Sequence, residues 1–320
     1  MDTTFDKKQW FREAGFGMMV HFGLYSLLGG EWRGRRMGTT IGEWAQSYFR
    51  IPNDTYHRLQ SAFDPLYFDA DEWIRTARDA GMKYFVITSK HHEGFALFDT
   101  HVSDFKSTAS PAGRDIIYEC ADACAKYGVK LGLYYSQCLD WSHPHGGGYG
   151  AARDNLGMSW SNDWDFPDKA SRNYSLCYEE KIKPQVKEIL TQYGELCLVW
   201  FDTPFDISAA ESMELYNMVR QYQPDCLVNS RIGNGVGDYE SAGDNEIPTD
   251  KKDRLFETPA TLNDTWGYKS YDNNWKSAET VKKTREHLRS LGANYLLNIG
   301  PDHLGRMPAP AWEIMRELAK

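Results

Sequence analysis

Apolar residues fall along this chain in two alternating textures. Short, almost continuous apolar runs occur at 16–22 (FGMMVHF), 83–89 (KYFVITS), 130–136 (KLGLYYS), 196–202 (LCLVWFD), 226–230 (CLVNS) and 294–300 (NYLLNIG), with a weaker run at 254–258 (RLFET). Runs this short, with little polar alternation, predict strands buried on both faces, as in a parallel sheet. Between them, apolar positions recur at helical spacing over 69–80, 114–127, 174–193, 208–222, 278–291 and 309–319. Asp69 and Ser208 stand where N-caps belong, and Gly81, Gly128, Gly194 and Gly292 where C-caps belong. Regular strand–helix alternation predicts an α/β fold, and the number of strands favours a somewhat irregular (β/α)8, TIM-like barrel over residues 1–320. No GxGxxG turn follows the first run, which argues against a dinucleotide-binding sheet.

Two connections break the rhythm. Residues 138–173 and 231–275 are long and mostly irregular, and stretches of that length inside a compact fold are usually functional. Both follow a strand, so a barrel places both on its C-terminal rim, where active sites of this fold lie. The Gly146-Gly147-Gly148 tip reads instead as plain surface insertion.

Composition narrows the chemistry. The formal charge of −9 disfavours nucleic acid or an anionic membrane as a partner. There is no apolar stretch long enough to cross a bilayer, and residues 1–17 contain no secretory h-region, so a cytoplasmic location is expected, or a secreted one if a leader has been removed. The six cysteines form no CxxC pair and read as buried free thiols; Cys120 and Cys124 share a helical face, which core packing explains better than a metal or redox pair. Eleven tryptophans, many beside Gly, Pro or Asp, provide flat faces suited to sugar rings, although filling a large core is the blander use. Nothing in the pattern specifies an oligomeric state.

Polar groups collect at the ends of the predicted strands: His21; Lys90–Phe95 (KHHEGF); Tyr134, Tyr135 and Ser136, then Asp140-Trp141; Trp200 and Asp202; Asn229 and Arg231; and Glu257. Period-two alternation puts Trp200 and Asp202 on one side of their strand. Asp202 is too far ahead of the next helix to cap it, so a carboxylate at a barrel mouth reads as a nucleophile or a stabiliser of developing positive charge. Glu257 follows Leu255 and Phe256, an apolar approach that raises a carboxyl's pKa; a charged and a protonated carboxyl together are what glycoside hydrolysis requires. Glu240 and Glu246 are rival acids that read better as solvated loop charges. His91-His92-Glu93 and His143-Pro144-His145 invite a metal-hydrolase reading with Asp202. Against it, adjacent strand residues face opposite ways, so His91 and His92 cannot both reach inward without a bend. Neutral imidazoles bonding sugar hydroxyls account for the same residues.

With these residues assembled, the chain resembles the retaining α-L-fucosidases of glycoside hydrolase family 29. The resemblance rests on ordered blocks: GMMVHFGLYS (17–26), GEWA (42–45), KYFVITSKHHEGF (83–95), GLYYSQCLDW (132–141), LVWFD (198–202), LVNSRIG (227–233), FETPATLNDTWGY (256–268) and NYLLNIGP (294–301). It implies a distorted (β/α)8 barrel and double displacement with no metal or cofactor. Carried over by motif, Asp202 is the nucleophile and Glu257 the acid/base. His21, Glu43, Trp44, His91, His92, Tyr134, Trp200 and Arg231 line the fucose subsite, and Trp266 shapes its wall. The implied partner is a fucosylated oligosaccharide or glycoconjugate. A sugar-binding protein without catalysis is the remaining alternative. Phe22, Glu93 and Ser230 depart from the residues usual at those positions, and the β-sandwich that often follows the barrel is expected to be missing.

Overall fold

The computed structural model describes residues 6–38, 41–151 and 157–320. Its strands are β1 (Phe16–Val20), β2 (Glu31–Trp32), β3 (Arg35–Arg36), β4 (Tyr84–Lys90), β5 (Lys130–Ser136), β6 (Leu196–Asp202), β7 (Leu227–Val228), β8 (Glu240–Ser241), β9 (Phe256–Thr261) and β10 (Ala293–Ile299). β2 and β3 form a small antiparallel ribbon, and the other eight make one sheet in the order β7-β6-β5-β4-β1-β10-β9-β8. Every pairing in that sheet is parallel. Its two edge strands form no ladder with each other among the described residues and are linked beside the isolated bridge between Asn229 and Tyr239. The sheet is thus curled into a barrel with a weak seam between two very short strands, which is the irregularity expected from the sequence.

The barrel strands other than β8 are buried nearly along their length because helices cover the outer face and side chains fill the interior. Local signals set the helix ends. Asp69 accepts from the Glu72 amide ahead of the helix Ala70–Asp79, and Ser208 and Glu211 form a capping box ahead of Ala209–Tyr222. Gly128, at φ 70°, ends Ile116–Tyr127. The helix expected over 174–193 is interrupted. Tyr174–Cys177 runs into a π turn, Tyr178–Ile182, before Lys183–Gln192 begins. Pro184 has no N–H to give to the preceding turn, so the helix widens just before it, and Lys181 in the widened turn points inward.

Two expected strands change. β7 is shorter than the apolar run 226–230, and β8 has no apolar run at all. β9 begins and ends later than 254–258, because its pairing with β10 continues through Pro259 to Thr261. A proline normally stops a central strand. Here the Pro259 carbonyl accepts from the Asn245 amide at 3.0 Å, so this residue's backbone faces the 242–245 loop and its missing donor costs no bond to β10. The six cysteines are buried and unpaired. Among the described residues no helix is long and apolar enough to cross a membrane.

Candidate active site

β6 carries its apolar run to the C-terminal mouth of the barrel and ends there in Asp202, at the bottom of a cavity of about 330 Å³. Asp202 is only 8% exposed, so its carboxylate depends on protein partners. Its Oδ2 accepts from Tyr134 Oη at 2.8 Å and its Oδ1 from Arg231 Nη1 at 3.0 Å. His92 Nε2 stands 3.9 Å from Oδ2. The guanidinium of Arg231 lies over the Trp200 ring, 4.6 Å from its centroid. Its other arm, Nη2, donates to Asp244 Oδ1 at 2.5 Å and to the Ala242 carbonyl at 2.8 Å. One cation therefore ties together a deep carboxylate and a rim carboxylate, the latter with a side chain 51% exposed.

The histidines present lone pairs. Asn298 Nδ2 donates to the Trp266 carbonyl at 2.8 Å, so its Oδ1 accepts the proton on His21 Nδ1 at 2.7 Å. Ser136 Oγ donates to the Leu139 carbonyl at 2.8 Å and so accepts from His92 Nδ1 at 2.7 Å. These bonds fix tautomers in which Nε2 of both rings is an acceptor. Burial brings His21 down to about 4 and holds His91 and His92 well below the usual histidine range. His91 and His92 both reach inward, and the bend that this requires is present. β4 shifts register between Thr88 and Lys90 and then ends, and the turn closed by Gly94 N–H on the His91 carbonyl brings both rings to the cavity, 3.9 Å apart.

Glu43 and Trp44 arrive on a short 3₁₀ turn, Gly42–Trp44. Glu43 Oε2 accepts from the Gly267 amide at 2.8 Å, and burial pushes its carboxyl up to about 7. Trp44 stands edge-on to His92 at 5.3 Å, and Trp266 is tilted against His21 at 5.3 Å. His21, Glu43, Trp44, His91, His92, Trp200, Arg231 and Trp266 all line the cavity. Tyr134 lies one layer below, stacked between His91 and Trp200 and reaching the site through Asp202. The metal constellation does not assemble: His143 pairs with Glu180 at 3.2 Å in the outer loop. Among the described residues no three His, Cys, Asp or Glu side chains gather as a metal set.

Glu257 requires a correction. It is the second residue of β9, next to Asn294 in the register, and so lies near the N-terminal end of the barrel. It is fully buried, accepting from Tyr84 Oη at 2.7 Å, Trp200 Nε1 at 2.9 Å and Tyr239 Oη at 3.4 Å. Burial does raise its carboxyl to about 7, as expected. Trp200 separates it from the cavity, however, so it has no path to a leaving group. Reading 254–258 as the strand put Glu257 at the rim; the strand that forms puts Thr261 there.

Asp244, in the segment 238–248 (DYESAGDNEIP), lies between Glu240 and Glu246, the rival acids that the sequence offers. Glu240 pairs outward with Arg254, and Glu246 is exposed. What brings Asp244 inward is Asn245, whose Oδ1 accepts from Thr261 N at 2.9 Å and Thr261 Oγ1 at 3.1 Å, clipping the loop to the end of β9. Trp160, packed at 4.9 Å on Trp44, and Asp264 also line the cavity and came from loops that the apolar pattern does not resolve. A larger surface groove of about 1050 Å³ lies by Tyr67, Tyr118 and Trp312. It shares no lining residue with the cavity that holds these groups.

Comparison with known proteins gives the family and agrees with the fold. Residues 3–320 match the family model described as Alpha-L-fucosidase. The structure of α-L-fucosidase AlfC from Lactobacillus casei in complex with α-L-fucose product is 49% identical, with a TM-score of 0.93, covering 98% of this chain and 97% of that one. Aspartate-to-alanine mutants of AlfC in complex with 4-nitrophenyl-α-L-fucopyranoside and with Fucα(1,6)GlcNAc are 48% identical, with TM-scores of 0.94 and coverage of 98% and 97%. Tissue α-L-fucosidase of Mus musculus is 28% identical over 91% of this chain and 64% of its own length. The α-L-fucosidase of Dictyostelium discoideum is 27% identical over 93% of this chain and 66% of its own. The chain thus spans just under two thirds of the length of these curated relatives.

Proposed function

The chain belongs to the α-L-fucosidase family, and on that premise we propose that it is a retaining exo-α-L-fucosidase in which Asp202 is the nucleophile and Asp244 the acid/base. The observation that carries this reading is the single Arg231 guanidinium bonded to both carboxylates. Two carboxyl groups bonded to the two arms of one guanidinium are near neighbours, and retention calls for such neighbours, about 5–5.5 Å apart. Asp244, half-exposed at the mouth, is placed to meet a leaving group; Asp202, at the floor, is placed to meet the ring.

In the first step Asp244 gives its proton to the glycosidic oxygen while Asp202 bonds to the anomeric carbon and the aglycone leaves as an alcohol. Water then gives a proton to Asp244 and its oxygen to that carbon, which frees Asp202. Tyr134 and Arg231 stabilise the Asp202 carboxylate as it departs in this second step. The Nε2 lone pairs of His21 and His92 accept from ring hydroxyls, and Glu43 bonds another. Trp44 and Trp266 give apolar faces to the ring and its C5 methyl. A cavity of about 330 Å³ is at the small end for ligand pockets and suits one sugar residue, hence exo action. The substrate class is a terminal α-L-fucosyl glycoconjugate, with Fucα(1,6)GlcNAc the first disaccharide to test. No cofactor enters the scheme.

Proton NMR of the first sugar released from 4-nitrophenyl-α-L-fucopyranoside tests this reading. α-L-Fucose ahead of mutarotation is expected. Initial β-L-fucose, or no turnover, would overturn it.

A further inference from the structure

Glu257 takes no part in the chemistry above, yet the barrel buries it completely and aims three donors at it. Burying a carboxyl is costly and persists where the surroundings use it. Each of its partners lies in the barrel interior: Tyr84 at the start of β4, Tyr239 beside the seam, and Trp200 on β6. Only Trp200 leads toward the active site. Its Nε1–H is committed downward to Glu257 Oε1 at 2.9 Å, while its ring carries the Arg231 guanidinium at 4.6 Å and stacks on Tyr134 at 5.5 Å and 18°. Arg231 and Tyr134 in turn are the two side-chain donors to Asp202.

We propose that Glu257 is a positioning residue: by accepting the Trp200 indole N–H it fixes the rotation of that ring, and the ring sets the level at which Arg231 and Tyr134 meet the two reacting carboxylates. An indole can turn about two side-chain torsions, and the polar bond at its edge adds to its shape in selecting one rotation over the flip. Reach is then the property that matters at position 257. The charge and the proton are secondary. This inference rests on the fucosidase reading for its kinetic consequence alone, since the bond itself is independent of the reaction.

The test is a pair of conservative variants that separate reach from proton. Glu257→Gln keeps an acceptor at the same distance and cannot act as an acid. Glu257→Asp keeps the carboxyl and falls short of Trp200 by one methylene. With 4-nitrophenyl-α-L-fucopyranoside and Fucα(1,6)GlcNAc, the Gln variant is expected to retain kcat/KM within about threefold on both, and the Asp variant to lose about tenfold or more with kcat falling. In a Trp200→Phe background, which lacks the donor, the Gln-to-Asp difference is expected to vanish. An active Asp variant with an inactive Gln variant would overturn the proposal, as would equal loss in both, no loss in either, or a difference that survives Trp200→Phe. The wild-type rate on the same substrates tests the fucosidase reading by itself. The Trp200 indole proton resonance, assigned by its disappearance in Trp200→Phe, is expected to hold its position in the Gln variant and move in the Asp variant whether or not fucosides are cleaved; an unmoved resonance in the Asp variant would also overturn the proposal.

Discussion

At the scale of single residues, the site divides its work by depth. Asp202 is fixed by two donors at the cavity floor, and Asp244 is held at the mouth by one arm of Arg231. Asp244→Ala should lower turnover of Fucα(1,6)GlcNAc by about 10²–10⁴-fold, spare 2,4-dinitrophenyl fucoside much more, and yield α-L-fucosyl azide when azide is supplied; steady-state rates and product NMR check this. Glu43, pushed by burial up to about 7, loses its proton within the working range. Its charged form bonds a sugar hydroxyl more strongly than its neutral form, so KM should fall as pH rises through about 7. Glu43→Gln should raise KM and flatten that profile. Much of this site was legible: strand-end residues such as His21, Trp200 and Arg231 were found because an apolar run points at them. Asp244 was not, because its approach is a polar loop whose path depends on bonds from Asn245 to Pro259 and Thr261 of β9.

At the scale of elements, the active-site loops after β4 and β5 are fastened by a buried ion cluster. Asp140 Oδ2 binds Lys90 Nζ at 2.9 Å and Lys181 Nζ at 2.8 Å, all three side chains almost without solvent contact. Burial alone would raise the Asp140 carboxyl, but Lys181 and Lys90 hold it well below the usual range. Lys181 bonds Ser142 Oγ as well, and the Trp141 amide bonds the His92 carbonyl at 2.7 Å, so the cluster backs the histidine turn. Asp140→Asn strands two lysines without a counter-charge and should cost about 3–5 kcal/mol in urea unfolding, whereas Lys181→Met leaves one neutral pair and should cost clearly less. The apolar runs revealed most barrel strands nearly to the residue. They failed at β8, two residues long, and at β9, where Pro259 imitates a strand end because its orientation toward the loop cannot be read from its neighbours in sequence. The π turn holding Lys181 was hidden in an otherwise regular helical pattern, although Pro184 marks where it ends.

At the scale of the whole molecule, a barrel with a weak seam concentrates ionisable groups in its interior, and that sets how stability follows pH. Burial raises Glu43, Glu93 and Glu257 to about 7 from an ordinary 4.5. The native state therefore keeps protons that the unfolded chain releases between those values, so these groups lower stability as pH rises through that window. His21, His91 and His92, lowered by burial, act oppositely: the unfolded chain takes up protons below 6.5 that the native state refuses, so their contribution rises with pH up to that point. The two sets offset each other on the acid side, leaving the glutamates alone near neutrality. Glu93→Gln, outside the sugar cavity, should gain on the wild type by about 1–3 kcal/mol between pH 5 and pH 8 in urea unfolding; a constant difference would contradict the assignment. The central claim, that Asp202 bonds covalently to fucose, is tested most directly by inactivation with 2-deoxy-2-fluoro-α-L-fucosyl fluoride followed by peptide mass spectrometry. The predicted result is one 2-fluorofucosyl group per chain, on Asp202; a label on any other residue of the active protein would contradict the account.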